Sequence, residues 1–173
     1  MPIDRVRAIT NIFSGRTGAR IAEYFATHGW VTTLLTSHPN LVEASLRLTV
    51  MPYKTYDELL LLMGQLITAE SYDAIIHSAA VADYKVEGVY MQRGEVFCHN
   101  GRALRELCAL DSTGKVGSDH SELWMRLAQT EKIVDKIRSE WGFRGTLVKF
   151  KLQVAMSDEE LIAVATRSML HSS

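Results

Sequence analysis

The chain has 173 residues, and 19 Lys and Arg against 20 Asp and Glu leave a net charge of −1. No basic excess exists to neutralise a phosphate backbone, which excludes nucleic acid as a main partner. With 47% hydrophobic and 23% charged residues the composition is globular and not disordered, and a chain this long buries roughly 70% of its unfolded surface without metal or disulfide staples.

In chain order, the residues after MPIDRVR, a start with no apolar secretory core, open a helix over Gly15 to His28. Its Ala19, Ile21, Ala22, Phe25 and Ala26 fall at helical spacing and Gly29 stops it. A β-branched strand, Val31 to Thr36, runs into a turn at Ser37 to Asn40, and Leu46 to Val50 reads as a second strand. Thr55 to Thr68 reads as a helix with a capping box of Thr55 and Glu58, and its Leu59, Leu60, Met63, Leu66 and Ile67 form a core face. The apolar run Leu59 to Met63 is far short of the roughly 20 residues that span a bilayer, so no membrane partner is expected. Ala74 to Ser78 is a short strand of the buried, parallel-sheet kind.

After Asp83 the periodicity weakens. Residues 85 to 120 hold five of the 11 glycines and are expected to form an insertion, a flap or dimer arm, with one short helix from Arg102 to Leu110. Beyond it come a strand (Glu122 to Leu127), a helix (Glu131 to Trp141), a strand (Thr146 to Leu152) and a helix from Asp158 to Leu170 with Ser157 as N-cap. This alternation predicts a single α/β, Rossmann-like, three-layer domain over residues 1–173 with a mainly parallel sheet. The polar residues before Gly15 are unsuited to the apolar strand that normally feeds a glycine turn. Both ends therefore read as cut, and a missing central strand should expose strand edges. Cys98 and Cys108 form no CxxC pair or disulfide framework, as in a reducing compartment such as the cytoplasm.

Three motifs carry chemistry. Ser14, Gly15 and Gly18 sit where a loop becomes a helix, a place where free N–H groups and a partial positive charge receive an anion. Asn11, Arg5 and Arg7 lie just upstream. The alternatives are a glycine turn that lets a helix pack closely and arginines on a solvated edge. Ser78-Ala-Ala-Val-Ala-Asp-Tyr84 follows a strand, and small residues there let a ligand lie against backbone. Asp83 suits a ligand hydrogen bond or Mg²⁺, or an Asx turn. Gly114-Lys-Val-Gly-Ser118 sets Lys115 between glycines, either as a mobile point charge for phosphate or as an ordinary exposed lysine. The six histidines show no metal spacing, and His28 fits a helix C-terminus. Trp30, Trp124 and Trp141 read as packing residues. A nicotinamide-dependent reductase is disfavoured because neither G-x-G-x-x-G nor an acidic ribose ligand after Thr36 is present.

Taken in this order, Ile3-Asp-Arg-Val-Arg7 with Ile9-Thr-Asn11 and Ser14-Gly-x-x-Gly18, then Ala79-Ala-Val-Ala-Asp-Tyr84, Lys115-Val116 and Leu147-Val-Lys-Phe-Lys-Leu152 resemble the phosphopantothenoylcysteine synthetase family. The resemblance runs from Ile3 to the end and is weakest between residues 86 and 113. It implies a ligase of coenzyme A biosynthesis that joins 4′-phosphopantothenate and L-cysteine, with CTP or ATP as co-substrate and Mg²⁺. It also implies a homodimer, and a flavin-dependent decarboxylase partner. Carried over by position, Asn11 holds the acyl-nucleotide, Gly15 and Gly18 shape the anion turn, and Ser14, Ser78, Ala79, Ala80 and Asp83 line the nucleotide site. Lys115 stabilises the transferring phosphoryl group, Phe150 packs beside the base, and Arg5, Arg7 and Asn11 face the substrate. The family's TSGGT-like loop and C-terminal Ala-Asn motif have no match here, and Lys149 stands where many members have glycine. The other reading is an inactive nucleotide-binding or dimerisation module of the same fold.

Overall fold

The computed structural model describes residues 1–97, 103–153 and 155–171. In chain order its elements are α1 (Arg16–Thr27), β1 (Thr32–Thr36), β2 (Leu48–Pro52), α2 (Tyr56–Ala69), β3 (Ala74–His77), β4 (Tyr84–Phe97), β5 (Ala103–Ala109), β6 (Trp124–Gln129), α3 (Ile133–Ser139), β7 (Thr146–Lys149) and α4 (Asp158–His171). They fall into two units, Phe13–Ala80 with Lys132–Ser173, and Met1–Ile12 with Val81–Glu131.

The first unit is α/β. Helix α1 buries Ala19 and Ala22 with Val42 and Leu48, and Ala26, Leu34, Leu41 and Val50 pack against this cluster. The small residues of α1 let its backbone approach the β1–β2 pair closely. That pair is parallel, with Thr32 opposite Leu48 and Thr36 opposite Pro52. At the end of α1, His28 Nδ1 lies 2.7 Å from the Tyr24 carbonyl and the imidazole stacks on the Tyr24 ring, as its sequence position suggests. Helix α2 starts where Thr55 Oγ1 accepts from the Glu58 N–H at 3.2 Å. The Glu58 carboxylate returns the bond to the N–H of Lys54, not of Thr55. Leu59 and Met63 are buried, as are Ile133 and Ile137 of α3. A Cβ on Gly64 would lie 3.2 Å from Trp141 Nε1, so the glycine makes room for that indole. Strands β3 and β7 pair in parallel from Ala74–Thr146 to His77–Lys149. Helix α4 has the full reciprocal capping box: Glu160 N–H donates to Ser157 Oγ and Ser157 N–H to the Glu160 carboxylate.

The second unit is an antiparallel sheet in the order β5-β4-β6. The long β4 pairs with β5 and with β6, and the register slips between Gln92 and Gly94 on one side and between Val86 and Gly88 on the other. Such slips bend a strand and increase its twist. Val89 and Val116 are buried here.

The α/β class and its Rossmann-like character hold, with three corrections of detail. The helix expected over Arg102 to Leu110 is a strand, Ala103–Ala109. Its composition suits a helix, but the backbone bonds offered by β4 override propensity. Residues 84–97 are regular although they lack a sustained apolar period, and β6 belongs to this antiparallel sheet and not to the parallel one. The parallel strands form two separate pairs, β1 with β2 and β3 with β7, among the described residues. Cys98 and His99 lie outside the described residues. No helix of the described residues is long and apolar enough to cross a membrane.

Candidate functional site

The glycine turn belongs to the α/β unit. Gly15 takes φ +76° at the N-cap of α1, a left-handed conformation that suits glycine. No side chain caps this end, and its first turn has no acidic residue but carries Arg16. An uncapped helix start of this kind presents N–H groups and the positive end of the helix dipole. A Cβ on Gly15 would stand 3.8 Å from Thr36 Oγ1 and 3.9 Å from His38 Nδ1. A Cβ on Gly18 would stand only 2.9 Å from Ser78 Oγ. The ends of β1 and β3 therefore both border the start of α1. The structure brings Ser14, Gly15 and Gly18 together with Ser78, Ala79 and Ala80, although some 60 residues separate the two motifs in sequence.

The residues that close β1 were not among the sequence candidates. Thr36 is buried and its Oγ1 accepts from the His38 N–H at 3.1 Å. Ser37 Oγ lies 3.0 Å from His38 Nδ1. Tyr53, whose N–H donates to the Thr36 carbonyl, has its phenol pushed up by burial, against a smaller opposing effect of its bond to Ser37. Three consecutive polar residues after a strand were the available signal. At the end of β3, burial pushes the His77 imidazole down, so it stays neutral near pH 7. Opposite it in register, Lys149 donates from Nζ to the Ser168 carbonyl at 2.7 Å and to Ser168 Oγ at 3.1 Å. Phe150 follows and is 53% exposed.

The other candidates belong to the sheet unit. Asn11 and Asp83 are exposed. The Asp83 carbonyl accepts from Thr130 N–H at 2.9 Å and the Ala82 carbonyl from Thr130 Oγ1 at 2.7 Å, which fixes the end of the Ala-Ala-Val-Ala-Asp segment. Arg5 borders an open cleft of about 380 Å³ with Ile3, Glu87 and Ser112. Arg7 is engaged: Nε and Nη2 donate to Asp4 Oδ2 at 2.9 and 2.5 Å, and Nη2 also reaches the Val116 carbonyl at 2.6 Å. Asp4 is buried, and the Arg7 guanidinium beside it, helped by three backbone N–H donors, holds its carboxyl well below the usual carboxylate range despite the opposing cost of burial. Lys115 itself is exposed, between Gly114, whose carbonyl accepts from Arg5 N–H at 3.1 Å, and the buried Val116.

Among the described residues no three His, Cys, Asp or Glu side chains gather into a metal site. The α/β unit thus offers helix-terminal donors, small residues and an exposed ring, the residue types that hold a nucleotide. The sheet unit offers an amide, a carboxylate and a lysine.

Residues 1–95 match the family described as DNA/pantothenate metabolism flavoprotein C-terminal domain. The chain is 28% identical over 170 residues to the coenzyme A biosynthesis bifunctional protein CoaBC of Thermococcus kodakarensis, covering 96% of this chain and 35% of that protein. It is 24% identical over 160 residues to the protein of the same name from Methanocaldococcus jannaschii, covering 92% and 32%. The chain thus spans about a third of the length of these curated relatives. In fold it is similar to the crystal structure of the DNA/pantothenate metabolism flavoprotein from Streptococcus pneumoniae, with a TM-score of 0.76 at 24% identity over 98% of this chain and 72% of that one.

Proposed function

The chain belongs to the DNA/pantothenate metabolism flavoprotein C-terminal domain family, and from that membership we propose that it acts in coenzyme A biosynthesis as a ligase of 4′-phosphopantothenate and L-cysteine. CTP or ATP is the co-substrate. The pantothenate carboxylate attacks the nucleotide α-phosphorus, and the bond to the leaving pyrophosphate breaks. The cysteine amine then attacks the acyl carbon, loses a proton and expels the nucleoside monophosphate.

The juxtaposition of Gly18 with Ser78 supports this reading most directly, because it sets an uncapped helix start beside a small-residue strand end. In the proposal the N–H groups after Gly15 hold nucleotide phosphate, Ser14, Ser78, Ala79 and Ala80 let the nucleotide lie close to backbone, and Phe150 stacks on the base. Asp83 accepts from the nucleotide. Lys115 neutralises charge developing on the transferring phosphoryl group, and Asn11 donates to the acyl-nucleotide. Of the two arginines, Arg5 faces the substrate's anion, while Arg7 is engaged with Asp4 and Val116. The described residues make no metal cage, so Mg²⁺ is assigned only as the counter-ion that nucleotide phosphates bring with them. A homodimer in the cytoplasm and a flavin-dependent decarboxylase partner complete the proposal, the latter in keeping with the relatives' description as bifunctional.

Titration of the protein with CTP, ATP and NADPH tests the assignment. We expect CTP or ATP to bind and Gly18→Ala to weaken that binding about tenfold, the equivalent of about 1.4 kcal/mol of overpacking against Ser78. Adding Ser78→Gly should restore it. Binding of NADPH alone, or Gly18→Ala at full affinity, would contradict the nucleotide site.

A further inference from the structure

The Ile3-Asp-Arg-Val-Arg7 segment makes contacts that its reading as a substrate-facing edge does not use. Asp4 Oδ1 accepts from the N–H groups of Val6 and Arg7 at 2.9 and 2.8 Å, which folds the segment into a tight turn around the carboxylate. Its other oxygen, Oδ2, accepts from both Arg7 Nε and Nη2 and, 112 residues away in sequence, from the Val116 N–H at 3.0 Å. Arg7 Nη2 then bonds the Val116 carbonyl, so both polar groups of that residue's backbone are held by one ion pair. On the other side of Lys115, the Gly114 carbonyl accepts from the Arg5 N–H. Further upstream Asp111 Oδ1 accepts from Thr113 N–H and Oγ1 at 2.9 and 2.6 Å. A lysine between glycines would otherwise be the most mobile residue of its loop. Here the peptides on both of its sides are tied to the N-terminal segment while its own side chain stays exposed.

We infer that Asp4 is a positioning residue for Lys115: with Arg7 it fixes the backbone of Val116, and so sets where the lysine amine can reach. Asp4 touches no reacting atom; its effect passes through Lys115. The tether stands on geometry alone, whereas its effect on the reaction rests on the ligase reading. A buried carboxylate that accepts five hydrogen bonds is costly to desolvate. Such a group suits the fixing of one loop geometry, since a displacement of about 1 Å can cost a reaction about a hundredfold.

The test compares the full chain with Asp4→Asn and Arg7→Lys. One measurement is the rate of tryptic cleavage after Lys115, scaled to the rest of the digest. The other is pyrophosphate release before cysteine is added. We expect Asp4→Asn to raise cleavage after Lys115 at least about tenfold, as a loosened loop opens more often. The rate of this single-turnover release should fall about a hundredfold, with little change in the nucleotide concentration that gives half the maximal rate. In a Lys115→Gln background Asp4→Asn should cost nothing further, because the two act as one unit. Unchanged cleavage after Lys115 in Asp4→Asn would overturn the tether, and a full additional loss in the Lys115→Gln background would overturn the route through the lysine. If Asp4→Asn loses its far-ultraviolet dichroism, Arg7→Lys decides, since it keeps the charge and loses the planar fork. If the parent chain releases no pyrophosphate the ligase reading fails, and the cleavage rates still decide the tether.

Discussion

His77 shows how one residue couples the fold to solution conditions. Burial at the end of β3 pushes its imidazole below the ordinary value, so the folded chain keeps it neutral where the unfolded chain takes up a proton. The linkage follows: the contribution of neutral His77 is complete above the unfolded value of about 6.5 and is lost as pH falls below it. Urea unfolding midpoints measured from pH 8 to pH 5 should therefore decline, and His77→Gln should flatten the decline. An equal decline in both proteins would place its origin elsewhere. Gly18 and Ser78 make the complementary point about legibility. Each motif was readable as a candidate, since glycine before a helix and small residues after a strand both signal close backbone approach. Their contact was not readable, because a distance of 2.9 Å between a would-be Cβ and a hydroxyl arises only from how α1 and β3 pack.

Among the elements, those with an end signal as well as a period were the legible ones. Helix α2 has a Thr55 cap, and the observed helix, Tyr56–Ala69, is one residue out of register with the expected Thr55 to Thr68. Thr55→Ala removes the Thr55 Oγ1 acceptor for the Glu58 N–H and should lower stability by about 1 kcal/mol, read as a fall in the urea midpoint at constant slope. A midpoint equal to the parent's would mean that water replaces the cap at no cost. Strands β4 and β5 were not legible for the opposite reason. Their stabilisation comes from cross-strand pairing, and the register slips beside Gly88 and Gly94 break the alternation that would otherwise announce a strand. The Ala-Leu-Arg-Glu-Leu sequence of β5 reads as a helix until its partner is known.

At the scale of the whole molecule, the α/β class followed from the alternation of helical and strand periods in the first and last thirds of the chain, and the likeness to the Streptococcus pneumoniae structure carries the same fold. The second unit was legible in part: weakened periodicity and five glycines set residues 85 to 120 apart as an insertion, whereas its inclusion of Met1–Ile12 was not foreseen. The separation of the parallel strands into β1 with β2 and β3 with β7 was not foreseen. Within the sheet unit, Asp4 and Arg7 hold the backbone on both sides of Lys115 together with the Arg5 N–H. The central claim is that carboxylate activation precedes cysteine. Pyrophosphate formation by the purified chain, with Mg²⁺, 4′-phosphopantothenate and CTP or ATP but no cysteine, tests it most directly. We predict one equivalent of pyrophosphate per active site, dependent on both 4′-phosphopantothenate and nucleotide, with continued turnover once cysteine is added. No pyrophosphate with either nucleotide, before or after cysteine, would contradict it.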